Sequence, residues 1–293
     1  LGPHEGDMVE AGAVVARLGR DEITPAAMIR QMIGRDVKTL HRPPAAPPGP
    51  PILELSGVRT SAYPHHAVDL AVRRGEILGL AGLIGAGRTE LARAVFGIDP
   101  ARGGKVRLDG AEVAIASPRD AVARGVYLVP EDRKRSGVVL DLSILDNVAL
   151  AQLPGLARRG LVSRPAETAL AEEQRRRLGI RTPSVEAPVV ALSGGNQQKV
   201  VLARWLSMRP RAIIFDEPTR GIDVGAKREI YDILRGLADA GVAVVMISSD
   251  MEEVIGVSDR IAVMHEGRIS GVLGRADFSE HNILELAVGH GPH

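Results

Sequence analysis

Hydrophobic and polar positions alternate in a regular plan from residue 52 to about residue 277. Apolar runs of about four to eight residues are separated by amphipathic or charged segments of about 10 to 17 residues, which is typical of strands alternating with helices. Runs that are apolar throughout indicate strands buried on both faces of a parallel sheet. Strands are predicted at 52–55, 76–82, 125–130, 212–218, 242–249 and 259–267, and helices at 89–97, 165–180, 196–208 and 225–241. The pattern predicts an α/β fold, with a mainly parallel sheet and helices on both of its faces.

A proline-rich segment, residues 41–51, precedes this body and contains six of the 19 prolines. Such a composition forms neither a helix nor a central strand, so we interpret the segment as a semi-rigid linker. Residues 23–35, before the linker, align without gaps with residues 278–290, and a His-Glu-Gly sequence lies upstream of each. The repeat predicts four parts: the C-terminal tail of a preceding copy of the domain (1–40), the linker (41–51), the domain itself (52–277) and a C-terminal helical tail (278–293). The chain begins with Leu1 rather than Met, and we expect it to be a fragment of a longer tandem protein.

Composition narrows the classes of function. The chain has 37 Lys and Arg against 36 Asp and Glu, a net charge of +1, which argues against a strongly basic nucleic-acid-binding protein. It has no Cys, which excludes disulfides, thiolate nucleophiles and Cys-based zinc sites. The first residues do not have the pattern of a signal peptide, and no apolar run reaches the length that spans a bilayer. We therefore expect a soluble chain that acts at a membrane only through a partner.

A glycine-rich segment, GLIGAGRTEL from Gly82 to Leu91, joins a predicted strand to a predicted helix. Its glycines allow backbone N–H groups to converge on an anion, and the helix adds the positive end of its dipole. The spacing from Gly82 to Gly87 matches the phosphate loop G-x-x-x-x-G-K-[ST], with Thr89 at the hydroxyl position and Arg88 in place of the lysine. For this segment alone, a tight turn that binds nothing remains the alternative.

A second feature is the acidic end of the predicted strand 212–218, where four apolar residues are followed by Asp216 and Glu217. A carboxylate at the C-terminal end of a buried strand, beside a phosphate loop, is a common way to hold Mg²⁺ and to orient water. Together with the glycine loop, these residues predict a nucleotide site that contains Mg²⁺, with Thr89 and Asp216 as its protein ligands.

A third feature is the sequence LSGGNQQKV, which begins at Leu192. Ser193, Gly194 and Gly195 offer a hydroxyl and free N–H groups at the start of a predicted helix, which is a second arrangement that favours an anion. It lies about 20 residues before Asp216 in the sequence.

These motifs resemble those of the ABC transporter ATPase family, and the resemblance covers residues 52 to about 277. GLIGAGRTEL, PEDRKRSG, LSGGNQQKV, DEPTRGIDVGAK and SSDMEEV together are similar to the second half of the tandem ATP-binding subunits of monosaccharide importers of the ribose, galactose and xylose type. The resemblance implies a P-loop fold of the ABC type, with an antiparallel β subdomain and a helical subdomain that carries the signature LSGG.

The resemblance also implies ATP and Mg²⁺ as cofactors, and Glu217 as the general base. It places Glu131 at the Q-loop glutamine, Asp223 in the D-loop and Ser249 at the switch histidine. The nucleotide-binding residues it implies are Gly82, Gly85, Ala86, Gly87, Arg88, Thr89, Glu90, Glu131, Ser193, Gly194, Gly195, Asp223 and Ser249.

Three of these positions depart from the family's pattern. Arg88 is planar and larger than the compact lysine, Glu131 lacks the amide donors of glutamine, and Ser249 is not a histidine. In the family, two ATPase domains meet head to tail, and each nucleotide lies between the phosphate loop of one domain and the signature of the other. We therefore expect the intact signature here to complete the site of the preceding domain, while the chain's own site binds nucleotide with weak or no hydrolysis.

The partners implied by the resemblance are the first ABC domain of the same polypeptide, a transmembrane sugar permease and, indirectly, a periplasmic sugar-binding protein, with no nucleic acid. The implied location is the cytoplasmic face of the inner membrane, as a peripheral subunit. Two alternatives remain: a soluble tandem ABC protein that acts on ribosomes, and a regulatory nucleotide-binding module that does not hydrolyse ATP. The charged segment 131–135 is either a solvated loop or a surface facing the permease, and Tyr63 is a candidate for stacking on adenine.

Overall fold

The computed structural model describes residues 5–10, 13–19, 41–158 and 160–289. Residues 23–35, whose similarity to residues 278–290 predicts the tail of a preceding domain, lie outside this part of the chain. The strands, in chain order, are β1 (Glu5–Glu10), β2 (Ala13–Gly19), β3 (Pro51–Arg59), β4 (Val68–Arg73), β5 (Ile77–Gly82), β6 (Gly103–Leu108), β7 (Ala111–Val113), β8 (Val126–Val129), β9 (Ala157–Arg158), β10 (Leu161–Val162), β11 (Ala212–Asp216), β12 (Ala243–Ile247), β13 (Arg260–His265) and β14 (Arg268–Gly274).

The four helices predicted between residues 89 and 241 are present, together with shorter ones. They are α1 (Arg88–Phe96), α2 (Pro118–Ala123), α3 (Ile144–Ala149), α4 (Leu153–Leu156), α5 (Arg164–Leu178), α6 (Gly194–Leu206), α7 (Val224–Asp239), α8 (Met251–Val257) and α9 (Glu280–Ala287). A single wide helical turn occupies Arg133–Gly137, where the Asp132 carboxylate accepts from the backbone N–H groups of Lys134 and Arg135. Within the described residues, no helix is both long enough and apolar enough to cross a membrane.

The central sheet has the strand order β14-β13-β5-β12-β11-β8. Its five strands from β13 to β8 are parallel, and β14 pairs antiparallel with β13 at one edge. Every residue of β11 and β12 is buried, as their continuous apolar runs predict for interior parallel strands. The predicted parallel sheet is therefore confirmed, while the hairpin that adds β14 was not predicted.

A second sheet is antiparallel, with the order β4-β3-β6-β7. Only β3 was located from the sequence pattern, because β6 and β7 carry mostly exposed or half-buried residues and lack an apolar run. This sheet is the predicted antiparallel subdomain. β3 begins at Pro51, the last residue of the segment interpreted as a linker, which is a position that proline tolerates in a strand.

The two faces of the central sheet pack against different layers, because successive side chains of a strand point to opposite faces. On β12, Val244 and Met246 belong to one core with α6 and α7, represented by Val201 and Leu234. Val245 and Ile247, on the other face, belong to a second core with α1 and the antiparallel sheet. Helices α3 and α5 extend the first core and form, with α6, the predicted helical subdomain.

The proline-rich segment lies along the body of the domain. The backbone N–H of Gly49 donates to the carbonyl of Arg74 at 2.8 Å, and that of Ala45 donates to the Asp239 carboxylate at 3.1 Å. Prolines remove donors from the segment, so its few remaining N–H groups carry these contacts. The four-part division of the chain stays a prediction.

Candidate functional site

Three loops that follow neighbouring parallel strands meet at one edge of the central sheet. The glycine loop follows β5, Glu217 follows β11 and Ser248 follows β12. Because the carboxyl ends of parallel strands face the same edge, the loops converge there, where open α/β sheets usually bind ligands. They border a cavity of about 680 Å³. The predicted site residues that line this cavity are Gly85, Ala86, Gly87, Arg88, Thr89, Glu90, Glu131, Glu217 and Ser249.

The glycine loop depends on backbone conformations that glycine alone adopts easily. Gly85 and Gly87 have φ of +81° and +99°, in the left-handed region. At Gly82 a Cβ would lie 2.5 Å from the carbonyl oxygen of Met264, so a side chain has no room there. α1 begins immediately after Gly87, and its first N–H groups have no partner within the helix. The loop and the helix together present the backbone donors expected of an anion site.

The two predicted metal ligands are in contact. The Thr89 hydroxyl donates to Oδ1 of Asp216 at 3.2 Å, and Asp216 is only 3 % exposed. Burial raises the pKa of Asp216 to about 6, although the hydrogen bond from Thr89 opposes that shift. A hydroxyl oxygen and a buried carboxylate are hard ligands of the kind that Mg²⁺ uses together with substrate phosphates. This donor set fits Mg²⁺.

Glu217 is held in a fixed position by its backbone. Its φ is +48°, an uncommon conformation for a residue with a side chain that costs on the order of 1 kcal/mol. Its backbone N–H donates to the carbonyl of Ile247 at 2.9 Å, which ties it to β12. The Ser249 hydroxyl donates to Glu217 Oε2 at 3.1 Å. Burial raises the pKa of Glu217, and the hydrogen bond from Ser249 partly offsets the rise. The structure therefore places the predicted base and the predicted switch residue in direct contact.

Arg88, the replacement for the expected lysine, is 9 % exposed. Its Nη1 donates to the carbonyl of Ser248 at 2.8 Å, so part of its hydrogen-bonding capacity is used within the protein. Burial lowers the pKa of Arg88, and the carboxylates of Glu217 and Asp216 oppose this effect. Arg88 thus joins the start of α1 to the segment after β12. The Arg88 side chain therefore lines the cavity, but one of its N–H groups already donates to the carbonyl of Ser248.

Glu131 also lines the cavity and forms an ion pair with Arg220. Arg220 follows Thr219 in the turn after Glu217, and it also lines the cavity. Both side chains are partly exposed, so the pair itself contributes little to stability. The ion pair instead determines the surroundings of Glu131, the residue at the predicted Q-loop position, because its carboxylate is neutralised by Arg220 of the same chain.

The signature residues and Asp223 lie outside the cavity lining. Ser193 is exposed and caps α6, with its Oγ accepting from the side-chain amide of Asn196 at 3.0 Å. Asp223 is also exposed and caps α7 by accepting from the N–H of Ala226 at 2.9 Å. A Cβ on Gly195 would approach the Ala226 Cβ to 2.6 Å, so the starts of α6 and α7 are closely packed. Ser193 and Asp223 thus lie at the exposed starts of two closely packed helices, outside the lining of this chain's own cavity.

Several polar residues at the site were not predicted from the sequence. Arg133 donates to the carbonyls of Arg220 and Gly221 at 2.8 and 3.1 Å, which links the charged segment 131–135 to the turn after Glu217. Lys227 and the buried Glu253 line the same cavity. Their motifs, DVGAK and SSDMEEV, are visible in the sequence, but nothing in the sequence shows that the two side chains meet.

Tyr63, considered as a candidate for stacking, lies against the glycine loop. Its hydroxyl donates to the carbonyl of Gly85, and its ring would be 3.0 Å from a Cβ on Gly87. The ring stacks on His66 with a centroid separation of 6.3 Å. The structure therefore places Tyr63 beside the loop. Stacking on a base stays a prediction.

Comparison with known proteins identifies the family and several relatives of this chain. The family model described as ABC transporter matches residues 65–220. Ribose import ATP-binding protein RbsA 3 of Rubrobacter xylanophilus is 48% identical over 278 residues, which cover 95% of this chain and 56% of that protein. RbsA of Oceanobacillus iheyensis is 45% identical, with 91% of this chain and 53% of that protein covered. A putative ribose/galactose/methyl galactoside import ATP-binding protein of Pseudomonas savastanoi is 44% identical, covering 96% and 54%. The chain spans about half the length of the curated relatives that it matches.

Solved structures show the same fold at low sequence identity. A nucleotide-free ATP-binding cassette superimposes with a TM-score of 0.67 at 18% identity, covering 80% of this chain and 98% of that one. A dimeric cassette in a post-hydrolysis state, bound to ADP and Pi, gives a TM-score of 0.65 at 22% identity, covering 78% and 100%. The sheet order, the antiparallel subdomain and the helical subdomain are thus those of a P-loop ATP-binding cassette.

Proposed function

Because this chain belongs to the ABC transporter family, we propose that it is a nucleotide-binding domain that powers the import of a sugar through a separate membrane permease. The observation that carries the proposal is the convergence of the glycine loop, Thr89 and Glu217 on one cavity, with the buried Asp216 hydrogen-bonded to Thr89. The names of the relatives point to ribose or a similar monosaccharide. The protein would act as a peripheral subunit on the cytoplasmic face of the membrane, with a periplasmic binding protein as an indirect partner.

The chemistry of the site follows from its residues. The loop N–H groups and the dipole of α1 would bind the phosphates, and Thr89 with Asp216 would hold Mg²⁺, which neutralises phosphate charge. Glu217 has a carboxylate of raised pKa, fixed by its backbone, in the position to orient an attacking water. We propose that these residues together bind a magnesium nucleotide.

Three observations support weak hydrolysis at this chain's own site. Arg88 is held by the carbonyl of Ser248, Glu131 is paired with Arg220, and Ser249 hydrogen-bonds to Glu217. A serine cannot carry the positive charge that a protonated histidine offers to a phosphate. We propose that the site retains nucleotide rather than turning it over rapidly.

The exposed signature supports a division of labour between domains. Ser193 is exposed at the start of α6 and, like Gly194 and Gly195, is not among the residues that line the chain's own cavity. An anion-binding helix start on an exposed surface is suited to a nucleotide held by another domain. We propose that it completes the site of a preceding ABC domain in the same polypeptide.

The isolated chain is expected to bind nucleotide but to hydrolyse it slowly. A fluorescent ATP analogue should bind in the presence of Mg²⁺, while turnover of ATP stays well below about 1 s⁻¹, a typical lower value for enzymes. Binding is measured by fluorescence titration and turnover by phosphate release, with Glu217→Gln as the background control. Turnover at or above about 1 s⁻¹ that Glu217→Gln abolishes would contradict the proposed weakness of this site.

Co-purification tests the transport role against the ribosomal alternative. The full tandem protein, tagged and isolated from detergent-solubilised cells, is expected to bring down a membrane permease. Recovery of ribosomes in place of a permease would reject sugar import. Nucleotide binding with neither partner would favour the regulatory module.

A further inference from the structure

A buried carboxylate connects three segments around the cavity. Glu253, in α8, is 4 % exposed. It accepts from the Thr219 hydroxyl at 2.7 Å and from the Ser248 hydroxyl at 2.9 Å. Thr219 lies in the turn after Glu217, and Ser248 follows β12. One carboxylate of α8 therefore holds both the turn that follows β11 and the segment that follows β12.

The charge of Glu253 is balanced by a lysine from a different helix. Nζ of Lys227, in α7, lies 2.6 Å from Glu253 Oε1 and 3.6 Å from Asp250 Oδ2. Burial pushes the pKa of Glu253 up, but hydrogen bonds from Lys227 and Thr219 outweigh burial and leave it below its ordinary value. For Lys227, burial lowers the pKa and the bond to Glu253 more than reverses this. Both groups are thus charged at neutral pH.

The same network reaches the glycine loop. Ser248 uses its hydroxyl to hold Glu253 and its carbonyl to accept from Arg88, the first residue of α1. The next residue, Ser249, donates to Glu217. A displacement of Ser248 would therefore move the contacts of Arg88 and of Glu217 together.

We propose that Lys227 is a positioning residue of the nucleotide site, which acts by neutralising Glu253. An uncompensated charge at Glu253 would be strongly unfavourable in its buried surroundings, so the segments that it holds would rearrange to reach water. The inference rests on the proposed function, since it requires that the cavity bind a magnesium nucleotide. It assigns no contact between Lys227 and the nucleotide.

If Lys227 acts by neutralising Glu253, replacing it with a neutral residue should weaken nucleotide binding. Lys227→Met keeps the length of the side chain and removes the charge. We expect the affinity for a fluorescent ATP analogue with Mg²⁺ to fall about tenfold at pH 8, equivalent to about 1.4 kcal/mol. Adding Glu253→Gln removes the buried charge while the amide oxygen still accepts hydrogen bonds, so the double variant should bind within about threefold of the wild type.

The dependence on pH separates charge from packing. Without Lys227, burial raises the pKa of Glu253, so that the carboxyl becomes protonated and neutral as the pH falls. Two further acidic groups lie near it: Asp250, whose carboxylate accepts from the backbone N–H of Glu253 at 3.3 Å, and Glu217. The Tyr231 hydroxyl hydrogen-bonds to it. The two acids favour the same shift. The ratio of variant to wild-type Kd should therefore be larger at pH 8 than at pH 6.

A matched control is available in the exposed pair of Lys105 and Glu112 on β6 and β7, whose charged atoms are 2.8 Å apart, close to the 2.6 Å between Lys227 and Glu253. Lys105→Met should leave nucleotide binding unchanged. Melting temperatures of all variants are recorded alongside the affinities.

Each outcome decides the inference. A loss in Lys227→Met that Glu253→Gln reverses supports it, and so does a single variant that fails to fold while the double variant folds and binds. Wild-type affinity in Lys227→Met, or a loss that the second change does not reverse, would overturn it. If the wild type itself binds no nucleotide, the proposed function fails, and the role of Lys227 fails with it.

Discussion

Replacing Ser193 with alanine in the full tandem polypeptide is expected to lower its ATP hydrolysis about 100-fold, whereas Arg88→Ala changes it less than about threefold. Ser193 is exposed at the start of α6, where its Oγ accepts from Asn196 and its own hydrogen can be donated to a nucleotide on another domain. Loss of one preorganised donor facing developing negative charge costs a rate factor of about 10² to 10³. Arg88 serves the chain's own, weakly hydrolysing site. Steady-state phosphate release from the tandem protein measures both effects.

The control for Ser193 separates its function from its role as a helix cap. Ser279 caps α9 in the same way, with its Oγ accepting from the N–H of Asn282 at 3.1 Å. Ser279→Ala should therefore cost similar stability, about 1 kcal/mol, without affecting hydrolysis. Equal losses of activity in Ser193→Ala and Arg88→Ala would contradict the division of labour between the two domains.

The parts of the fold that the sequence predicted are those with one dominant physical signal. β11 and β12 contain short continuous apolar runs, which are typical of interior strands of a parallel sheet. The Thr89–Asp216 contact was predictable because a phosphate loop and a strand-end carboxylate have fixed places at the same edge of such a sheet. In both cases a local pattern determines the position.

The parts that were not predicted depend on how distant elements are arranged. Lys227 and Glu253 are on different helices, and their contact follows from the way α7 and α8 pack on neighbouring strands. The pairing of Glu131 with Arg220 similarly joins two loops that are far apart in the sequence. The antiparallel strands β6 and β7 were missed because their side chains are mostly exposed and leave little hydrophobic pattern. Charge and sequence spacing alone do not specify such contacts.

Replacing Asp216 with asparagine is expected to stabilise the metal-free protein while it removes Mg²⁺-dependent nucleotide binding. The Asp216 carboxyl has a pKa of about 6, against about 3.8 in an unfolded chain. As the pH rises from 4 to 6, the unfolded state releases this proton first, so the buried carboxylate destabilises the fold by up to about 3 kcal/mol above pH 6. Asparagine lacks the charge, and its carbonyl oxygen still accepts from Thr89. Its stabilising effect should be absent near pH 4 and complete at pH 7 and above.

The same Asp216→Asn variant, although more stable, is expected to bind nucleotide more weakly than the wild type. An amide is a much weaker ligand for Mg²⁺ than a carboxylate, so the Mg²⁺-dependent part of nucleotide affinity should fall about 100-fold. Thermal unfolding from pH 4 to pH 8 and nucleotide titration with and without Mg²⁺ measure the two effects, and the exposed Asp141→Asn is the control for a simple loss of charge. A variant that is less stable than the wild type at pH 8, or one that still binds nucleotide with full Mg²⁺ dependence, would show that Asp216 is not the buried metal ligand. Stability and nucleotide affinity are expected to change in opposite directions because both depend on the burial of Asp216. Burial makes the charged carboxylate unfavourable in the metal-free protein, and it also keeps water from competing with the carboxylate for Mg²⁺.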